Sequence, residues 1–176
     1  MPLARAIQRC YETSAMNDIS LPPAELSAAV PAGFKPVPLG PAGSFMDLTG
    51  PLYGRIEGDG LVLGFRVEPR HCNPIGICHG GMLATFADMM LGVGCSFQAN
   101  LGRFLPTVNL TVDFLGAAAL GAWVEGRVEV LRTTRNLVFG QTRVSADDQP
   151  AVRASGILKI GSVPTGSGFD FRRYLS

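Results

Sequence analysis

The residue best suited to chemistry is Asp88, the one formal charge between Cys72 and Gly102. In a helix its i±3 and i±4 neighbours are Ala84, Thr85, Leu91 and Gly92, so no cation on that helix neutralises it. Burying an unpaired carboxylate is costly, and a compensating group must come from elsewhere in the fold. Two readings stand at this point. One is an aspartate tied to an arginine from a strand or from the proline-rich N-terminal arm, or left on a wet edge. The other is a general base or nucleophile in a partly dry cleft.

The second feature is the loop His71-Cys72-Asn73-Pro74-Ile75-Gly76-Ile77-Cys78-His79-Gly80-Gly81, which leads straight into the same segment. Asn-Pro-Ile-Gly suits a type I turn, with Pro74 second and Gly76 fourth. Gly80 and Gly81 at a helix start leave backbone N–H groups unshielded, where they can hold an oxyanion or a phosphate. The plainer account is that two glycines only permit a tight turn and close packing. His79 and Asp88 are nine residues apart, which puts them on opposite helix faces and roughly 13 Å apart along the axis. If both serve one site, a second copy of the chain must bring its helix alongside, giving two composite sites per two-fold dimer.

Other constellations carry less. His71, Cys72, Cys78 and His79 have the composition of a metal cluster, but C-x5-C within one loop is not a usual zinc spacing and no second ligand pair follows. No metal and no cofactor is expected. Cys78 or Cys95 as a nucleophile competes with the ordinary role of small thiols in a core. There is no G-x-S-x-G elbow, G-x-G-x-x-G turn or P-loop, which removes support for serine hydrolase, dinucleotide-binding and NTPase functions.

The elements that position these residues follow from periodicity. Residues 81–97 are apolar on every side, which predicts a long buried helix. Before it, Arg55-Ile56-Glu57 and the run 61–67 flank Gly58-Asp59-Gly60, with Leu61, Leu63, Phe65 and Val67 on one face: a hairpin closed by a glycine turn. After it the period becomes two. Val108, Leu110, Val112 and Phe114 alternate with Thr107, Asn109, Thr111 and Asp113, predicting a strand with one buried face. Similar runs at 122–130, 137–144 and 152–160 are separated by turn-rich breaks. The order favours an α+β fold in which an antiparallel sheet of about six strands wraps one central helix.

Residues 1–50 read as a short helix near 3–15 followed by a proline-rich arm, since such proline density blocks a continuous helix or central strand. The regular domain spans 51–162, and 163–176 reads as a loose C-terminal tail.

The chain has 176 residues, 47% apolar and only 16% charged, which fits one domain and argues against disorder. A mean hydropathy of +0.24 with so little charge predicts apolar surface covered by other copies, in a dimer or tetramer. A net charge of +1 gives no electrostatic footprint for nucleic acid or anionic lipid. The glycines, Pro74 and Asp88 count against a membrane span in 72–102. The first residues lack the apolar core of a secretory signal, so a cytoplasmic location with four reduced cysteines is expected.

Asn73-Pro74-x-Gly76-x-x-His79-Gly80-Gly81 followed by Asp88 resembles the signature of hotdog-fold acyl-CoA thioesterases of the phenylacetate-degradation type. Thr107-Val108-Asn109-Leu110-Thr111-Val112-Asp113-Phe114-Leu115 is similar to the strand after the helix in that family, and the resemblance covers about residues 52–160. It implies hydrolysis of an acyl-CoA at a dimer interface. Asp88 would act as general base or nucleophile, and the N–H of Gly80, joined by Gly81, would hold the oxyanion. Asn73 would orient water or substrate. His79 would hold the loop and Asn73 or approach the leaving thiolate. Thr107 would assist the base. Met82, Phe86 and Met89 are candidates for an acyl pocket or for plain core. Arg135, with Arg132, Lys159 and Arg172-Arg173, could meet the CoA phosphates or be solvated surface charges. A non-catalytic acyl-CoA binding or sensing protein, or a dehydratase/hydratase on the same fold, are the alternatives.

Overall fold

A computed structural model describes residues 29–37, 40–162 and 171–175, with backbone alone at 173 and 174. The predicted hairpin is present: β2 (Tyr53–Glu57) pairs antiparallel with β3 (Gly60–Arg66), Glu57 lying opposite Gly60. The chain reverses through Gly58 and Asp59, and Gly58 takes φ +57, a value only glycine adopts without penalty. Leu61, Leu63, Phe65 and Val67 share the buried side, as their alternation requires.

The long helix is α2 (Gly80–Gln98), preceded by the short α1 (Phe45–Thr49). Four strands follow: β4 (Thr107–Phe114), β5 (Trp123–Thr133), β6 (Leu137–Ala146) and β7 (Gln149–Lys159). A two-residue strand from the arm, β1 (Lys35–Pro36), makes the sheet seven-stranded rather than six. The order is β1-β2-β3-β5-β6-β7-β4, antiparallel throughout. The α+β class and the single central helix are as the sequence predicts.

Helix α2 crosses one face of this sheet and buries Phe86, Met90, Leu91 and Cys95 against it. Small residues beneath make the close approach possible. Gly140 of β6 pairs with Gly156 of β7, and a Cβ at Gly140 would stand 2.5 Å from Cys95 Sγ. One at Gly156 would stand 3.0 Å from Leu91 Cδ1.

Two expectations need correction, for a shared reason. The helix is not buried all round: Ala84, Thr85, Asp88, Gly92 and Ser96 are only half-buried, a stripe at helical spacing on the side away from the sheet's centre. Nor does β4 have a buried face. Leu110 and Val112 are half-buried, while Val108 and Phe114 are 62% and 56% exposed. Among the described residues β4 pairs only with β7, so its other edge is bare of them, and none of them covers Val108 or Phe114 fully. By length and composition α2 resembles a membrane-crossing helix, yet much of its surface packs within the fold.

The arm is also less detached than its prolines imply. On the sheet face opposite α2, Phe34 meets Trp123 edge-on at 4.9 Å, and the Arg55 guanidinium lies 4.5 Å over its ring. Arg66 lies 5.2 Å over Trp123 and donates to Ala29 O and Gly121 O, while Arg55 donates to Ala32 O. At the other end, within the stretch expected to be a loose tail, α3 (Phe171–Leu175) buries Phe171 in the core near Phe97, so these residues are not loose; the rest of that stretch lies outside the described residues. The helix expected near residues 3–15 lies outside the described residues.

Candidate active site

Asp88 finds its partner in the first residue of β4. The β4–β7 pairing sets Thr107 opposite Leu158, beside α2, and Thr107 Oγ1 donates to Asp88 Oδ1 at 2.7 Å. Among the described residues the ion pairs are Arg55–Glu57, Arg70–Glu68, Arg127–Glu57, Arg127–Glu125 and Arg153–Asp113, so no arginine neutralises Asp88. The carboxylate is half-exposed, its Oδ1 fixed by a hydroxyl, which leaves Oδ2 for water or substrate.

The loop ahead of α2 folds on itself. Gly76 N–H donates to Asn73 O at 3.0 Å, the predicted four-residue turn, and Gly76 has φ +79. Asn73 Oδ1 accepts from Ile75 N–H at 3.1 Å and Ile77 N–H at 3.4 Å. The asparagine oxygen is thus consumed in holding the turn, and its NH2 is what remains to meet a ligand.

His79 is the N-cap of α2, its Nδ1 accepting from Gly81 N–H at 2.8 Å. Gly81's amide is thereby occupied by the cap. The His79 ring bonds to Gly81 rather than to Asn73, and its backbone braces the loop, donating to His71 O at 2.7 Å. The Gly80 N–H has no acceptor among the described residues and points from a helix start, so it is the free donor of the Gly-Gly pair. Beside it lies a residue that alternation assigned to the strand's buried face. A Cβ at Gly80 would stand 3.3 Å from Phe114 Cε1, so this half-exposed ring walls the helix start. Its position as the last β4 residue was the only sequence signal.

Met82 and Phe86 are core rather than open pocket. Phe86 is fully buried, 5.0 Å from the Phe65 ring, on the helix side away from Asp88; Met82 and Met89 are also in the core cluster. Arg135 is exposed in the β5–β6 turn. Arg132 stands opposite Phe139 and Lys159 opposite Leu137, while Lys159 N–H donates to Pro106 O. These three cations therefore share the sheet end where Thr107 meets Asp88. Arg172 is drawn elsewhere, 4.7 Å over Phe97, and the Arg173 side chain lies outside the described atoms.

Burial pushes the Cys78 and Cys95 thiols up to about 12, which suits core residues and leaves only a small fraction of either as thiolate near neutral pH, too little for the nucleophile of the hydrolysis. His71 is buried, its Nδ1 accepting from Glu68 N–H, whereas His79 is exposed. No group of three or more His, Cys, Asp or Glu side chains converges among the described residues.

The Thioesterase superfamily model matches residues 75–152, from the Asn73 turn through β4 into β7. A Pseudomonas aeruginosa protein named "Putative esterase PA0474" is 33% identical over 132 residues, which is 74% of this chain and 97% of that one. Among solved structures, PaaI of Escherichia coli, from the phenylacetic acid degradation operon, superposes with TM-score 0.58 at 18% identity, covering 64% of this chain and 81% of its own. The hypothetical thioesterase of Streptococcus pneumoniae TIGR4, solved with coenzyme A, gives TM-score 0.55 at 18% identity, covering 62% and 85%. With the helix-on-sheet architecture and a relative matched over nearly its whole length, the chain belongs to the hotdog-fold thioesterase superfamily and is a thioester hydrolase.

Proposed function

We propose that this chain hydrolyses an acyl-CoA thioester, with Asp88 as general base and a second copy of the chain completing the site. The observation that carries the reading is the Thr107–Asp88 hydrogen bond on the open stripe of α2, which orients a carboxylate that no cation neutralises among the described residues. Asp88 Oδ2 takes a proton from water, and the water oxygen attacks the thioester carbonyl. Gly80 N–H, aided by the positive end of α2, holds the oxyanion. Collapse expels the CoA thiolate, which recovers the proton from Asp88. The asparagine NH2 of Asn73 is positioned for the substrate carbonyl or the water.

Helix length supports the second copy. Gly80 and Asp88 are eight helical positions apart, roughly 12 Å along the axis, whereas base and oxyanion donor must both come within about 3 Å of the reacting group. The bare edge of β4, with Val108, Phe114 and Leu115 exposed, is the surface that a second copy would cover. Coenzyme A as the thiol carrier is supported by the pneumococcal neighbour solved with it and by Arg132, Arg135 and Lys159 gathered at the Thr107 end of the sheet. Those cations suit its phosphates.

Asp88→Asn keeps the shape and removes the base. Release of free thiol from a panel of acyl- and aryl-CoA compounds should fall by a factor on the order of 10²–10⁴. A rate equal to wild type would eliminate the mechanism. Mixing Asp88→Asn with a chain altered at Gly80 should restore part of the activity, because each exchanged pair has one intact composite site; no recovery in subunit-exchanged protein would place both groups in one chain.

A further inference from the structure

Cys72 and Cys78 face each other across the neck of the loop that carries Asn73. They form an isolated antiparallel bridge, flanked by Asn73 N–H to Ile77 O at 2.8 Å and His79 N–H to His71 O at 2.7 Å. Bonds between the flanking residues and none between the pair make this a non-hydrogen-bonded position, where Cα atoms lie about 4.5 Å apart and side chains share a face. Disulfides span Cα separations of roughly 4.4–6.8 Å. The shared face is visible here: Cys78 is in the main core cluster and Cys72 packs partly buried against it. Both are free thiols. Cys72 Sγ is 3.5 Å from Glu68 O and Cys78 Sγ 3.9 Å from His79 O, weak contacts that a rotation breaks. Neither sulfur has a part in the proposed hydrolysis.

We propose that Cys72 and Cys78 form a reversible dithiol–disulfide pair that staples the Asn73 loop when a low-molecular-weight disulfide such as oxidised glutathione is abundant. The half-exposed Cys72 thiolate attacks one sulfur of that disulfide, forming a mixed disulfide and expelling a glutathione thiolate, which takes up a proton. Cys78 then loses its proton, and its sulfur attacks the Cys72 sulfur, forming the Cys72–Cys78 bond and expelling the second glutathione thiolate, which is protonated in turn. The protein dithiol gives up two electrons and the small disulfide receives them. Burial and the neighbouring Cys72 make Cys78 the harder thiol to ionise, so Cys72 reacts first and the resolving step is slow. The closed ring, residues 72–78, contains the whole Asn73-Pro74-Ile75-Gly76 turn.

The full-length chain is equilibrated in glutathione buffers of rising oxidised fraction, then alkylated under denaturing conditions and mapped by peptide mass. The peptide holding both cysteines should lose two hydrogens, regain them with dithiothreitol, and leave Cys10 and Cys95 alkylated. Its formation should raise the thermal midpoint by about 5 °C, as expected for so short a ring. Cys72→Ser and Cys78→Ser should each abolish both effects. If the Cys78 variant fails to fold, Cys72→Ser at the half-exposed position still decides the matter. A glutathione adduct on Cys72 that never resolves, pairing with Cys10, or two thiols still reduced in the most oxidising buffer would each overturn the proposal. Bond formation is read without any substrate, so its failure is separate from failure of the hydrolytic mechanism.

Discussion

Replacing Thr107 with Val removes one hydroxyl and keeps the branched shape that β4 prefers. Thr107 is exposed, so folding should be unaffected within about 0.5 kcal/mol. What is lost is the 2.7 Å donor to Asp88 Oδ1. Hydrogen bonds to charged groups contribute about 1.5–3 kcal/mol, and the exposed position, where water can substitute, points to the lower figure. If that bond orients the base in the transition state, about 1.4 kcal/mol corresponds to tenfold, so kcat should fall roughly tenfold. KM should change far less, because the hydroxyl holds the base rather than the substrate. Continuous detection of released CoA thiol under saturating acyl-CoA gives both constants. Thr107→Ser, which keeps the donor, should sit near wild type. A valine enzyme with unchanged kcat, alongside an inactive Asp88→Asn, would show that Asp88 works without this hydroxyl.

Two further expectations concern the scaffold. Gly140→Ala drives a Cβ to 2.5 Å from Cys95 Sγ, and overpacking of this kind costs about 1–3 kcal/mol. Thermal denaturation should show the loss, and adding Cys95→Ala should recover most of it; strictly additive losses in the double variant would refute the close-approach argument. Burial, reinforced by Arg70, holds the His71 imidazole below its ordinary range against the opposing pull of Glu68 and the carbonyls of Thr49 and Arg66. The unfolded chain then binds a proton that the folded chain resists, so His71's contribution is present above about pH 6.5 and is lost as pH falls toward its folded value. The gap in thermal midpoint between wild type and His71→Gln should shrink on acidification through that window, and parallel curves would assign the acid sensitivity to other groups.

Much of the fold was legible because hydrophobic period reports directly on burial. The alternation at 61–67 and the unbroken apolar run at 81–97 predicted β3 and α2. The same logic misassigned Val108 and Phe114, since apolar alternation marks a face suited to burial without saying what buries it. At the site, the absence of a local cation for Asp88 was readable, and the hydroxyl of Thr107 was found through the resemblance. The split between Gly80 and Gly81 was not readable. It depends on which amide the His79 ring reaches, a matter of one χ rotation that no spacing encodes. The seat of Phe34 is not legible in the sequence, because proline density describes what an arm cannot form and says nothing of the surface on which it lies.

Phe34, lodged between Arg55 and Trp123, means that the chain brings its own cover for the back of β2, β3 and β5. Stacked sheets stand about 10 Å apart, and an aromatic ring wedged into that gap takes the room a second sheet would need. A visitor to that side must first peel away the Ala29 and Ala32 carbonyls, costing the Arg66 and Arg55 guanidinium groups one acceptor each. Along the outer margin of β4 none of the described residues has to be unseated.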